Sequence, residues 1–132
     1  MELELNEIED LEEGRLYKVV QITINGRPLL YFAKDTGKIF HFMVLKKILE
    51  NHRIPYSEIK IQDYKAPDTK GETAGGVYFI NGMGGAKVLP GRKVLLFGDS
   101  MGYGLNISNE HLAHFREAHP DCGWQLLSAS TT

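Results

Sequence analysis

Three glycines fall within seven residues in Gly98-Asp99-Ser100-Met101-Gly102-Tyr103-Gly104, directly after the apolar run Val94-Leu95-Leu96-Phe97 and before a predicted helix. At such a strand-to-helix junction, glycine lets the backbone take φ > 0 and approach a ligand closely. Successive N–H groups and the Ser100 hydroxyl then converge on one anion, which is the chemistry of a phosphate cradle. A plain glycine-rich turn has the same composition, so the rest of the chain must decide. His41 stands where Ile39-Phe40 hands over to a helical pattern, at an end that offers free N–H groups and a positive dipole. A histidine between two phenylalanines is also what a satisfied core residue looks like. A second glycine-rich stretch, Gly82-Met83-Gly84-Gly85-Ala86-Lys87, ends in a base.

Other chemistries are absent from the pattern. The chain has no CxxC, no HExxH and no GxxxxGK[ST]. His111 and His114, at i and i+3 on one short helix, share a face, and an exposed helix face accounts for them. Phe97-Gly98-Asp99-Ser100-Met101 looks like the nucleophile block of GDS-type esterases. That block belongs near an N-terminus with an Asp-x-x-His pair far downstream, and no such pair follows here.

The elements that must position these residues follow from periodicity and turn residues. Residues 1–13 read as a short extended start and a brief helix capped by Asn6, with Ile8 and Leu11 on one face and Gly14 as the stop. Leu16–Ile24 is a strand, Asn25-Gly26 a hairpin turn and Leu29–Ala33 its partner. After the Asp35-Thr36-Gly37 turn and an extended Ile39-Phe40-His41, apolar spacing predicts a helix from Phe42 to Arg53, closed by Ile54-Pro55. A strand at Glu58–Tyr64, a polar loop from Lys65 to Gly75, and strands at Gly76–Asn81 and Lys93–Phe97 follow. Ser108 caps a helix to His119 with Leu112, Phe115 and Ala118 inward. Gly123–Leu127 is the last strand, and residues 128–132 are a frayed tail. The order implies an α+β fold in one domain spanning residues 1–132: a single mixed or antiparallel sheet of about six strands with two main helices packed on it.

Composition narrows the class. The length of 132 residues suits one domain with a core of its own, and the single cysteine, Cys122, suits a reducing compartment. No apolar run approaches membrane-spanning length, and the acidic start lacks the features of a signal peptide, so a cytoplasmic protein that binds no membrane is expected. Seven of the 17 acids precede Gly14, which leaves the remainder with 15 bases against 10 acids. That surplus favours an anionic substrate and is too small to argue for nucleic acid.

The loop Gly98–Gly104 resembles the Gly-x-Ser-Met-Ala/Gly-Tyr-Gly signature of the Janus/Ocnus family of protein histidine phosphatases. Tyr17-Lys18, Phe40-His41, Gly84-Gly85 and Pro120-Asp121 are similar to further motifs of that family, in the same order, so the resemblance runs from about Gly14 to Trp124. It implies a phosphohistidine phosphatase that uses no metal or other cofactor, acting as a monomer on a phosphoprotein or small phosphoramidate. His41 would be catalytic, as general base or nucleophile. Lys18, the Phe42 N–H, and Ser100, Met101 and Gly102 of the loop would bind the phosphoryl group. Two positions depart from the family: Gly85-Ala86-Lys87 stands for Gly-Gly-Arg, and Met43 for an acidic residue. Lys87 is then expected to act as a point charge in place of the arginine, which alone makes bidentate contacts. The alternative is a phosphate- or phosphopeptide-binding module that keeps the cradle and has lost turnover.

Overall fold

The computed structural model describes residues 3–54, 70–73, 76–100 and 104–129. Strands β1 (Leu16–Ile24), β2 (Arg27–Lys34), β3 (Lys70–Thr73), β4 (Gly76–Leu89), β5 (Lys93–Phe97) and β8 (Gln125–Ser128) form a six-stranded sheet. Its order is β2-β1-β4-β5-β8, with β3 paired to β4. All pairs are antiparallel except β5–β8, so the sheet is mixed. Two short strands, β6 (Asp99–Ser100) and β7 (Leu105–Asn106), pair separately. Helices α1 (His41–Asn51) and α2 (Asn109–Ala118) complete the α+β architecture.

Strand alternation divides β1 cleanly. Tyr17 and Val19 join Leu112 and Phe115 of α2 in one core cluster, and Val20, Ile22 and Ile24 join Val44, Leu45, Ile48 and Leu49 of α1 in another. The two helices therefore lie on opposite faces of the sheet, and each buries one apolar stripe. The hairpin turn has the positive φ that type I′ geometry demands, 51° at Asn25 and 80° at Gly26. At the outer edge of β2, Asn6 exchanges two backbone hydrogen bonds with Phe32, which blunts an otherwise open edge.

Several expectations need correction. Gly82–Lys87 is not a loop but the second half of β4, which continues through residue 89. The glycines are there because a side chain would not fit: a Cβ on Gly82 would meet Gln21 Oε1 and Asn106 O, and one on Gly84 would meet Phe97 O. The register shift between Gln21 and Ile22, which skips Asn81 on β4, keeps the faces consistent across the long strand. The N-terminal helix is a single 3-10 turn, Ile8–Asp10, capped from Glu7 rather than Asn6. No strand forms at Ile39–His41, because Phe40 is already the N-cap of α1 and His41 its first residue. Ala118 is exposed, and Ser128 belongs to β8 rather than to a tail. The strand predicted at 58–64 lies outside the described residues. Among the described residues no helix is long and apolar enough to cross a membrane.

Candidate active site

Glycine at two adjacent positions of β4 builds the site. In register, Ala33 of β2, Lys18 of β1, Gly85 of β4 and Phe97 of β5 form one row across the face that α1 covers only in part. The next row outward holds Leu16, Lys87 and Leu95. Gly84, next to Gly85 in β4 and paired with Val19, turns its Cα toward Phe97 O, Gly98 O and Ile107 on the other face, so strand and loop start approach more closely than any side chain would permit.

Its carbonyl receives His41. The ring Nε2 of this buried histidine donates to Gly84 O at 2.8 Å. A carbonyl only accepts, so Nε2 carries the proton, and in the neutral ring Nδ1 holds the lone pair. No hydrogen bond joins Nδ1 to any of the described residues. Burial pushes the His41 pKa below the ordinary value of 6.5, and the Lys18 charge acts in the same direction. The Gly84 bond, Asp35 and Asp99 oppose it without reversing it. At neutral pH the ring is neutral, and a neutral imidazole can serve as a base or a nucleophile.

The start of α1 faces the same place. Phe40 caps it without a side-chain hydrogen bond and there is no acidic residue in its first turn, so the helix carries no side-chain negative charge at this end. Its carbonyl accepts from Met43 N and Val44 N, and its ring stacks on that of Phe42, with centroids 6.0 Å apart and planes 6° apart. Phe42 is the second residue of the helix, next to His41.

The predicted site residues separate into four groups. His41, Lys18 and Phe42 come together at the α1 end. Ser100 is buried in β6, and the charge of the preceding Asp99 reaches His41, which brings the start of the glycine loop to the same side; Gly98 and Gly104 have the positive φ expected of them, 76° and 65°. Met101 and Gly102 lie outside the described residues. Lys87 shares the Lys18 face, diagonal to it and exposed, but is not among the charges that shift His41.

Sequence reasoning missed the Gly84 carbonyl as the anchor of His41; an adjacent Gly-Gly in a run that also alternates as a strand is the signal that could have found it. It also misplaced His111, which is not on an exposed face but 2% accessible. Gln21 Nε2 donates to His111 Nδ1 at 3.3 Å and to Ser108 O at 2.9 Å, Gln21 Oε1 accepts from Ser108 N at 2.7 Å, and His111 Nε2 donates to Ile22 O at 3.1 Å. Both ring nitrogens are used, and the cluster ties the start of α2 to β1.

A cleft of about 290 Å³ opens on the α2 side among Glu7, Leu29, Phe115, His119 and Cys122, across the sheet from His41 and away from every predicted site residue. Among the described residues no three His, Cys, Asp or Glu side chains are placed to hold a metal ion. Compared with models of protein families and with curated proteins, the chain matches none.

Proposed function

We propose that this protein is a phosphohistidine phosphatase that hydrolyses P–N bonds of phosphoproteins or small phosphoramidates without a metal, as a cytoplasmic monomer. One observation carries the reading: His41 is fixed through Nε2 to the Gly84 carbonyl and is neutral at pH 7, with Nδ1 unbonded among the described residues, next to Lys18 and a helix N-terminus. Hydrolysis of a phosphoramidate requires the charge on three phosphoryl oxygens to be held while a nucleophile lines up opposite the departing nitrogen. Lys18, the first turn of α1 and the Ser100 loop hold the oxygens. Nδ1 either takes a proton from the attacking water or attacks phosphorus itself. In the second case the P–N bond of the substrate breaks as P–Nδ1 forms, the departing nitrogen takes a proton, and water then releases phosphate from His41.

The second reading is a phosphopeptide-binding module, favoured by the exposed Lys87 where arginine would be expected and by Met43 where an acid would be. Phosphate release from phosphohistidine in the presence of a chelator separates the two. Release with saturation kinetics supports the enzyme. Saturable binding without release establishes the module and sinks the enzyme. Because the His41 pKa is lowered, turnover should persist as the pH falls through 6.5 and fail only below it.

A further inference from the structure

Four large hydrophobic side chains are prominently exposed among the described residues: Leu16 and Phe40 at 48%, Phe79 at 45% and Phe97 at 36%. Phe79 pairs with Thr23, which by alternation points to the α2 face. The other three lie on the side of the sheet that holds Lys18 and His41. Phe40 immediately precedes it, Phe97 lies in the Lys18–Gly85 row with its ring against the space over Gly85, and Leu16 lies in the next row opposite Lys87. Half-buried Leu95 fills that outer row. Among the described elements helix α1 packs mainly on β1 and β2, and Leu16 and Phe97 on this half of the face are exposed. An apolar surface of this kind, interleaved with Lys18 and Lys87 and continuous with the α1 N-terminus, is costly to leave in water unless something docks there.

We infer that this half of the face is a docking surface for a segment of another protein in which a phosphoryl-bearing residue is flanked by apolar side chains. This rests on the proposed phosphoryl site and names its substrate class. Charge complementarity fixes the orientation: the dianion goes to Lys18 and the start of α1, and the flanking side chains lie on Phe97 and Leu95 to one side and Phe40 to the other. Gly85 carries no side chain, and the Phe97 ring occupies the space over the strand there. A free phosphoramidate uses only the charged part of the surface. A peptide uses both.

The test is a binding measurement that does not depend on turnover. Short peptides carrying a non-hydrolysable phosphonate analogue of phosphohistidine, flanked either by Leu and Phe or by Ser, are titrated by fluorescence anisotropy against the wild type and against Leu16→Ser/Phe97→Ser. Both replaced side chains are exposed, so the fold should tolerate the change. The Leu/Phe-flanked peptide should bind the wild type about tenfold more tightly than the Ser-flanked one, as for burial of one or two apolar anchors. The double variant should lose that preference while retaining its affinity for the Ser-flanked peptide. Equal affinities for both peptides, or a preference that survives in the variant, would overturn the inference. Failure of the wild type to release phosphate would count against the phosphatase reading alone.

Discussion

His41 and His111 are anchored alike and differ in one nitrogen. Each is buried at the start of a helix, on opposite faces of the same sheet, and each donates Nε2–H to a backbone carbonyl, Gly84 O at 2.8 Å and Ile22 O at 3.1 Å. At His111 the other nitrogen accepts from Gln21, whose amide is itself held by both backbone groups of Ser108. At His41 it accepts from none of the described residues. Burial pushes the His111 pKa down to about 4, and neighbouring His114 acts in the same direction; protonation would also point an N–H at the Gln21 amide, which has only donors on that side. Burial lowers His41 as well, while its Nδ1 has no hydrogen-bond partner among the described residues. What separates the two histidines is whether the second nitrogen is bonded among the described residues, because burial and the first hydrogen bond are common to both.

Substitution should separate the two in opposite directions. His41→Ala is expected to lower phosphate release a hundredfold or more with a melting temperature close to wild type, since the loss is that of a base or nucleophile. Steady-state assays paired with thermal melts check it, and near-normal activity in the folded variant would dissolve the contrast. His111→Leu should do the reverse. It strips Ile22 O and the Gln21 amide of a buried partner, destabilising the fold by roughly 2–4 kcal/mol in urea unfolding, while the folded fraction keeps its turnover.

The pH dependence sharpens the same point. Above pH 6.5 neither the native nor the unfolded chain protonates these rings. Below it the unfolded chain binds protons that the native state refuses, so stability falls as the pH drops from 6.5 to about 4. His111 alone accounts for roughly 3 kcal/mol of that loss. His41 and His52, both also lowered, add to it in the same direction. Unfolding midpoints across this range should therefore fall less steeply for His111→Leu than for the wild type.

Around the open histidine, smaller effects rank the anion's partners. Ser100→Ala removes one charge-assisted hydrogen bond of roughly 1.5–3 kcal/mol and should lower turnover about ten- to hundredfold without abolishing it. A dead Ser100→Ala enzyme together with an organophosphonate-labelled serine would turn the site into an esterase. Lys87→Ala should raise KM a few-fold and leave kcat nearly unchanged, because an exposed point charge acts alike on the ground and transition states. Unchanged kinetics would make Lys87 a solvated residue of the strand.

The two faces were unequally legible in the sequence. Period and turn residues reveal β1, the Asn25-Gly26 hairpin, both helices and the Ser108 cap, because each rests on local chemistry that the structure keeps. They do not reveal that Gly82–Lys87 is strand, since glycine is read locally as a breaker and is here demanded by distant atoms, Phe97 O and Gln21 Oε1. The same blindness hid the His111 cluster, whose partners lie about ninety residues away. His41 was visible from its place at a helix start. The carbonyl that orients it was not, because a backbone acceptor leaves no trace in the residue type.

The most direct test of the open nitrogen is a long-range ¹H–¹⁵N spectrum of the histidine rings at pH 7.5, recorded without and then with inorganic phosphate. The His41 ring should be neutral, protonated at Nε2 and bare at Nδ1, with the Nδ1 resonance moving on addition of phosphate while His111 stays fixed. An Nδ1–H tautomer or a charged His41 ring at that pH, or a His41 resonance indifferent to phosphate, would contradict the account.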